Sequence, residues 1–129
     1  MIRATKFGAS ISQFSDDAKK NMRLAVGEAA MELTKRVIEK TPVDTGRLRS
    51  NWQASVDNPV TGEYQGMDEP LIRAMDAIHS SFGRVFWLSN NLPYAAPIEY
   101  GHSKIKAPLG MVRVSVAEVL QIMQNWRAP

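Results

Sequence analysis

Two histidines are the side chains in this sequence best suited to acid–base or metal chemistry. His79 follows Asp76 by three residues, and His102 follows Glu99 by three, so each pair could supply two ligands to one metal ion. Two ligands are too few for a structural zinc, and any such site would need a subunit interface. The absence of cysteine excludes disulfides, thiolate zinc sites and cysteine nucleophiles. We expect surface histidines, and predict no catalytic residue, no metal site and no cofactor.

Other catalytic signatures are missing from the sequence. It contains no G-x-S-x-G nucleophile elbow and no glycine-rich phosphate-binding loop. The sequence does not indicate two carboxylates that converge in a cleft, as a hydrolase would need. Asp16 and Asp17 suit a helix start, and Asp44 suits a turn between Pro42 and Gly46. A small enzyme or toxin stays open as an alternative only if the fold joins a histidine to a carboxylate and a nucleophile.

Two basic pairs stand in predicted turns and loops. Arg47 and Arg49 follow a turn, and Lys104 and Lys106 lie in the polar stretch 102–108. The net charge of +3 at pH 7 does not by itself indicate a nucleic-acid binder, since such proteins concentrate charge on one face. A ring of subunits would multiply this charge around a lumen, where the basic pairs could contact DNA phosphates without reading sequence. A nucleic-acid-binding module is therefore one of the functions that the sequence leaves open.

A long amphipathic helix is the best-defined element that must position these residues. Between Asp16 and Lys40 the chain has no proline, and apolar residues recur at helical spacing: Ala18, Met22, Ala25, Ala29, Leu33 and Val37. Ser15 and the two aspartates after it predict the start of the helix. Thr41-Pro42 predicts its end, because a residue before proline disfavours helical backbone. Residues 1–14 alternate loosely, which predicts a short strand or an extended arm.

Shorter elements follow this helix. Residues 41–50 predict a turn with a short helical turn, 51–57 and 84–88 predict strands, and a helix opens at Glu69-Pro70 and ends by Gly83. Residues 94–101 fit a short helix or a bent segment. A last helix is predicted to begin at residue 109 or 110. Because valines favour strands, a strand over residues 111–116 stays an alternative. Together these elements predict an α+β fold, with a long N-terminal helix and a C-terminal helix packed on a small, mostly antiparallel sheet. The length predicts one domain over residues 1–129.

Aromatic residues indicate contacts beyond the chain. Phe86 and Trp87 are adjacent in a predicted strand and must point to opposite faces, so one of them is expected to be exposed unless another layer or subunit covers it. Trp126 either folds back or contacts a neighbour. No run of 18 apolar residues and no targeting segment is visible, so we expect a soluble protein made in the cytoplasm.

Two motifs carry a family resemblance. Residues 41–52 read TPVDTGRLRSNW, and residues 90–101 read NNLPYAAPIEYG. A long amphipathic helix followed by these motifs resembles the small tail-completion and neck proteins of long-tailed bacteriophages, the HK97 gp10-like and lambda tail protein Z-like group, over residues 16–125. The motif residues that we take as interface candidates are Pro42, Asp44, Thr45, Gly46, Leu48, Trp52, Tyr94, Ala95, Glu99, Tyr100 and Gly101.

The first motif also has a local physical interpretation. Pro42 ends the long helix, Asp44 and Thr45 can cap the next short helix, and Gly46 relieves strain where the chain reverses. Leu48 and Trp52 can then enter the core. The loops 58–68 and 102–108 are expected to become ordered only on docking.

The resemblance implies a non-enzymatic virion protein of the neck or tail that assembles in the host cytoplasm. It implies a ring, expected to be a hexamer, that contacts the tail tube or tail terminator on one side and the head connector or stopper on the other. We also expect non-specific contact with genomic DNA in the lumen, and no contact with a membrane. Tail terminator and head stopper remain rival roles, and the isolated subunit is expected to be a monomer or a weak oligomer.

Overall fold

A computed structural model describes residues 4–43, 46–100 and 109–129 and confirms the α+β class. The helices are α1 (Ala4–Lys40), α2 (Arg47–Ser50), α3 (Pro70–His79), α4 (Ala95–Glu99) and α5 (Val112–Gln124), and the strands are β1 (Gln53–Val56) and β2 (Phe86–Ser89). The ambiguous segments at 94–101 and 111–116 contain helices, α4 and the start of α5. None of the described helices is long and apolar enough to cross a membrane.

The first helix is longer than the sequence pattern predicted. It has 37 residues, or about 55 Å at a rise of 1.5 Å per residue. The prediction of a strand or extended arm at 1–14 is wrong for residues 4–14, and Ser15 is not the helix start. Ile11, Phe14 and Ala18 also have helical spacing, and Gln13 donates a hydrogen bond to Asp17 at 3.0 Å across one turn. No proline interrupts the segment, so helical propagation continues through it.

The sheet consists of the two predicted strands. They pair antiparallel, with Gln53 opposite Ser89 and Val56 opposite Phe86. Just beyond the pair, Asp57 adopts a positive φ of 70°, and the Arg84 guanidinium contacts its carboxylate at 2.6 Å. Hydrogen bonds from Arg84 hold the pKa of Asp57 below its ordinary value. Phe86 packs inward and Trp87 is exposed on the other face, which confirms the expectation that one of them lies outside.

The core is built around the C-terminal part of α1. One cluster joins the end of α1 to both motifs and to the start of α5; its buried members are Val37, Ile38, Leu48, Trp52, Leu92, Ala95 and Met111. A second cluster joins α1 to α3 through Ala30, Ala74 and Ile78, with Ala54 and Phe86 of the sheet packed against it. Leu48 and Trp52 therefore enter the core, as the motif predicted.

Helix α5 is attached to the end of α1 by charge as well as by apolar contact. The Glu118 carboxylate accepts hydrogen bonds from Lys40 at 2.5 Å and Arg36 at 3.0 Å, and Arg36 also contacts Glu32 at 3.0 Å. The hydrogen bonds from Lys40 and Arg36 hold the pKa of Glu118 below its ordinary value. This network covers the last turns of α1.

Candidate assembly interface

Thr41 connects the end of α1 to the first motif. Its hydroxyl donates to the Val37 carbonyl at 2.7 Å and accepts from the Trp52 indole N–H at 2.8 Å, and all three residues are buried. The hydrogen bond satisfies the polar atom of Trp52 inside the core, where an unpartnered N–H would be costly. The spacing between Thr41-Pro42 and Trp52 in the first motif therefore serves a contact inside the subunit.

Gly46 and Asn51 shape the rest of this motif. Gly46 has a φ of 79°, a left-handed conformation that glycine adopts without strain, which agrees with its predicted role in the chain reversal. Asn51 is fully buried, and its amide N–H groups donate to the carbonyls of Arg47 at 3.0 Å and Tyr64 at 3.1 Å, while its oxygen accepts from the Tyr64 N–H at 2.8 Å. Asp44 and Thr45 lie outside the described residues, so their predicted capping role stays a prediction.

The loop 58–68 is already held in the free subunit. Besides the contacts of Asn51, the Asn91 amide donates to the carbonyls of Val60 at 2.9 Å and Gly62 at 2.7 Å. The Arg73 guanidinium lies 3.7 Å from the centre of the Tyr64 ring. The expectation that this loop orders only on docking is therefore wrong, because side chains from outside the loop fix its path.

Glu99 of the second motif caps α5. Its carboxylate accepts from the backbone N–H groups of Met111 at 2.7 Å, Val112 at 2.6 Å and Arg113 at 3.1 Å, and from Arg113 Nε at 2.9 Å. Partial burial opposes its ionisation, but these donors outweigh burial and hold the pKa of Glu99 below its ordinary value. A carboxylate at a helix N-terminus also meets the positive end of the macrodipole.

Gly110 lets Glu99 approach α5 closely. Its φ is 91°, and a Cβ atom placed there would lie 2.3 Å from the Glu99 carbonyl oxygen and 2.8 Å from its carboxylate. Neither the cap nor this glycine was found from the sequence, because the partners are separated by the segment 101–108. Gly101, His102, Lys104 and Lys106 lie outside the described residues.

The remaining interface candidates divide between interior and surface. Ala95 is buried, Pro42 is half-buried, and Tyr94 and Tyr100 are exposed. The Arg113 guanidinium lies 5.0 Å from the centre of the Tyr100 ring. The two tyrosines are thus the members of the second motif that are best placed to contact another protein.

Among the described residues considered for DNA contact, both arginines have partners inside the subunit. Arg47 forms a salt bridge with Glu63 at 2.5 Å, and Arg49 donates to the Thr41 carbonyl at 3.3 Å. His79 is exposed at the end of α3. No group of three potential metal ligands occurs within 4–43, 46–100 and 109–129.

Several exposed apolar side chains lie along the N-terminal part of α1, on a surface that the sequence did not single out. Along residues 10–26, here called the distal segment of α1, the exposed apolar side chains are Ile11, Phe14, Met22, Leu24 and Val26. Phe14 is 74% exposed. The spacing of Ile11, Phe14, Ala18 and Met22 was the available signal, since it continues the helical stripe of the core. Exposed apolar side chains grouped on a small protein are typical of a contact site.

The fold is that of a small, helix-rich α+β protein. The family model described as "Bacteriophage HK97-gp10, putative tail-component" matches residues 5–101. The chain belongs to this family and is a bacteriophage tail component, a structural protein of the virion, as the two motifs indicated. No curated protein and no solved structure shows a significant match to the chain.

Proposed function

We propose that this protein is a tail-completion or head–tail joining subunit that forms a ring, a hexamer, at the neck of the virion. It contacts the tail tube or tail terminator on one side and the head connector or stopper on the other, and it catalyses no reaction. Family membership supports the virion role. The observation that carries the assembly role is the distal segment of α1, with apolar side chains that the subunit's own fold leaves exposed.

The solution state follows from the same surface. The core clusters use the end of α1, so the subunit folds as one domain without the distal segment being covered. We expect a monomer or weak oligomer in solution, produced in the host cytoplasm and ordered into a ring on a pre-formed tail or head. Sedimentation with and without purified tails tests this, since a stable ring in tail-free solution would contradict it.

Deletion of the gene from its phage distinguishes the three neck roles. A head–tail joining subunit predicts separate full heads and finished tails in electron micrographs. A tail terminator predicts tails of uncontrolled length, and a head stopper predicts heads that have lost their DNA. We expect the first outcome, with infectivity restored by the gene supplied in trans. Normal particles without the protein would contradict all three roles.

DNA contact in the lumen is the secondary part of the proposal. Since Arg47 and Arg49 are engaged with Glu63 and Thr41, Lys104 and Lys106 carry this role in the ring. Phosphate contacts weaken steeply with salt and ignore sequence. We expect the free subunit to show little DNA affinity. A steep salt-dependent affinity of the monomer would instead favour a nucleic-acid-binding module.

A further inference from the structure

A groove of about 480 Å³ opens between α1 and the end of α3. Its apolar lining comes from Leu24, Met31, Ile78 and Phe82. The Arg23 guanidinium lies 5.3 Å from the centre of the Phe82 ring at one side. The groove is large enough for an aromatic side chain with its neighbours, and it lies outside both family motifs.

Gly27 lines this groove at a position where the subunit itself does not need a glycine. A Cβ atom at Gly27 would meet no heavy atom within 4 Å. Glycine in a helix interior costs about 1 kcal/mol relative to alanine. Packing within the subunit does not explain the residue, whereas the close approach of a group from outside would. The absence of a side chain at Gly27 and the apolar lining therefore both indicate that a group from outside the subunit binds in this groove.

The distal segment of α1 supplies a side chain that fits such a groove. Phe14 projects from the helix at 74% exposure, beside the exposed Ile11. Phe14 and Gly27 are separated by about 20 Å along the helix axis, at 1.5 Å per residue. They also point about 140° apart around the helix, at 3.6 residues per turn. A subunit cannot fill its own groove with Phe14, but a second copy can.

The charges around the two surfaces are complementary. Asp17 lies about one helical turn after Phe14 on the same side of α1, and no lysine or arginine occurs between residues 7 and 18. Lys19 and Lys20 precede the groove in the sequence, and Arg23 lines it. Glu28 and His79 also line it, so the basic character is strongest at the Arg23 side. A neighbouring copy that inserts Phe14 would bring its Asp17 towards these cations.

We propose that Phe14 of one copy inserts into the groove beside Gly27 of the next copy, and that this is the subunit contact of the ring. The contact joins two different surfaces, so an open row of copies keeps a free Phe14 at one end and a free groove at the other until the ring closes. This inference rests on the proposed function, because the ring is the assembly in which such a contact closes.

Cysteine cross-linking tests the contact directly. The chain has no cysteine of its own, so Phe14→Cys and Gly27→Cys introduce the only thiols. A disulfide joins Cα atoms that are about 4–7 Å apart, which excludes a bond between these positions within one helix. In particles assembled from both single variants together, we expect cross-linked dimers after mild oxidation, and none in particles of either variant alone. Dimers of the Phe14→Cys variant alone would overturn the proposal in favour of paired α1 helices.

A second variant covers the case in which cysteine disturbs assembly. Gly27→Leu fills the groove, while the free space at its Cβ and the better helix propensity of leucine keep the free subunit stable. We expect at least a tenfold loss of infectivity in complementation, with unchanged thermal unfolding of the isolated subunit. Normal infectivity of Gly27→Leu particles would overturn the proposal.

The outcomes separate this inference from the proposed function. If the wild-type protein is found at the neck but the mixture of the two cysteine variants does not cross-link, the contact is wrong and the function stands. If the protein is absent from particles while concentrated subunits still cross-link between positions 14 and 27, the function is wrong and the contact stands. If Gly27→Leu loses infectivity but the cysteine variants do not cross-link, the groove binds a different virion protein. That result rejects a second copy of this chain as the occupant.

Discussion

The two ends of α1 share one helix and one apolar spacing but differ completely in what they contact. Residues 30–40, here called the anchored segment, include the fully buried Val37 and the buried Ala30 and Ile38. In the distal segment, Phe14 is 74% exposed. The apolar stripe therefore predicts a helix in both places, whereas burial depends on which other elements the chain brings alongside.

The anchored segment is covered because three distant parts of the chain converge on it. Both family motifs pack against Val37 and Ile38, and Glu118 of α5 contacts Arg36 and Lys40. This arrangement gives the family motifs an internal role, in which they fold the subunit around the end of α1. The distal segment is left uncovered by the subunit itself, and we propose it for contacts between proteins, so variants in the two segments should have opposite effects.

The largest expected effect is on the anchored side. Trp52→Ala removes a buried indole that packs against the end of α1, and truncations of this kind cost about 3–5 kcal/mol of folding free energy. Trp52→Phe is the matched control, since it keeps an aromatic ring in the core and loses the hydrogen bond to Thr41 and part of the indole packing, for about 1–2 kcal/mol. Urea unfolding measures both. A loss below about 1 kcal/mol for Trp52→Ala would place the core elsewhere.

The next effect concerns the cover that α5 provides. Gly110→Ala introduces a Cβ atom at a φ of 91° and against the Glu99 carbonyl, so we expect a loss of about 1–3 kcal/mol. Gly62→Ala is the matched control: its φ is 86°, but a Cβ there meets nothing within 4 Å. The difference between the two variants isolates the close approach from the backbone strain. Equal losses would mean that the Glu99 contact does not constrain α5.

A smaller effect should appear as acid sensitivity of the anchored segment. The folded pKa values of Glu99 and Glu118 lie below their ordinary values, so their contribution to stability is complete above the ordinary carboxyl pKa of about 4.3 and is lost as pH falls through the folded values. Glu99→Gln should cost about 1 kcal/mol at neutral pH. It should also flatten the decline of unfolding free energy below pH 4.3. An unchanged pH profile in this variant would show that the cap does not contribute.

The smallest effect on stability, and the sharpest contrast, is expected in the distal segment. Phe14→Ala should change the unfolding free energy by less than about 0.5 kcal/mol, because exposed side chains contribute little to folding, yet it should weaken incorporation into particles. Ile72→Ala is the matched control, since Ile72 is 72% exposed on α3 and is not part of either proposed surface. We expect that variant to assemble normally. Loss of stability in Phe14→Ala would place this side chain in the fold of the subunit.

Much of the fold was predictable because its signals are local. Pro70 opens α3, Thr41-Pro42 follows the end of α1, and the adjacent Phe86 and Trp87 point to opposite faces of the sheet. The start of α1 was missed because Ser15, Asp16 and Asp17 are capping residues that an exposed helix interior also tolerates. The distal apolar residues were then assigned to an arm instead of to a surface of the helix.

The missed site residues depend on contacts between distant segments. Glu99 caps a helix that begins beyond residue 111, and the buried Asn51 holds the backbone of Tyr64. Nothing in the type or spacing of these residues specifies such partners. Their motif membership indicated importance, but the chemistry became apparent only when the fold brought the segments together.

Hydrogen exchange of α1 tests the central claim most directly, since it compares both segments in one molecule before and after assembly. Few tertiary contacts protect residues 10–26, so their amides should exchange rapidly in the isolated subunit, while those of residues 30–40 exchange slowly. In assembled particles, we predict strong new protection of residues 10–26 and little change in residues 30–40. Equally rapid exchange of residues 10–26 in free and assembled protein would contradict the account.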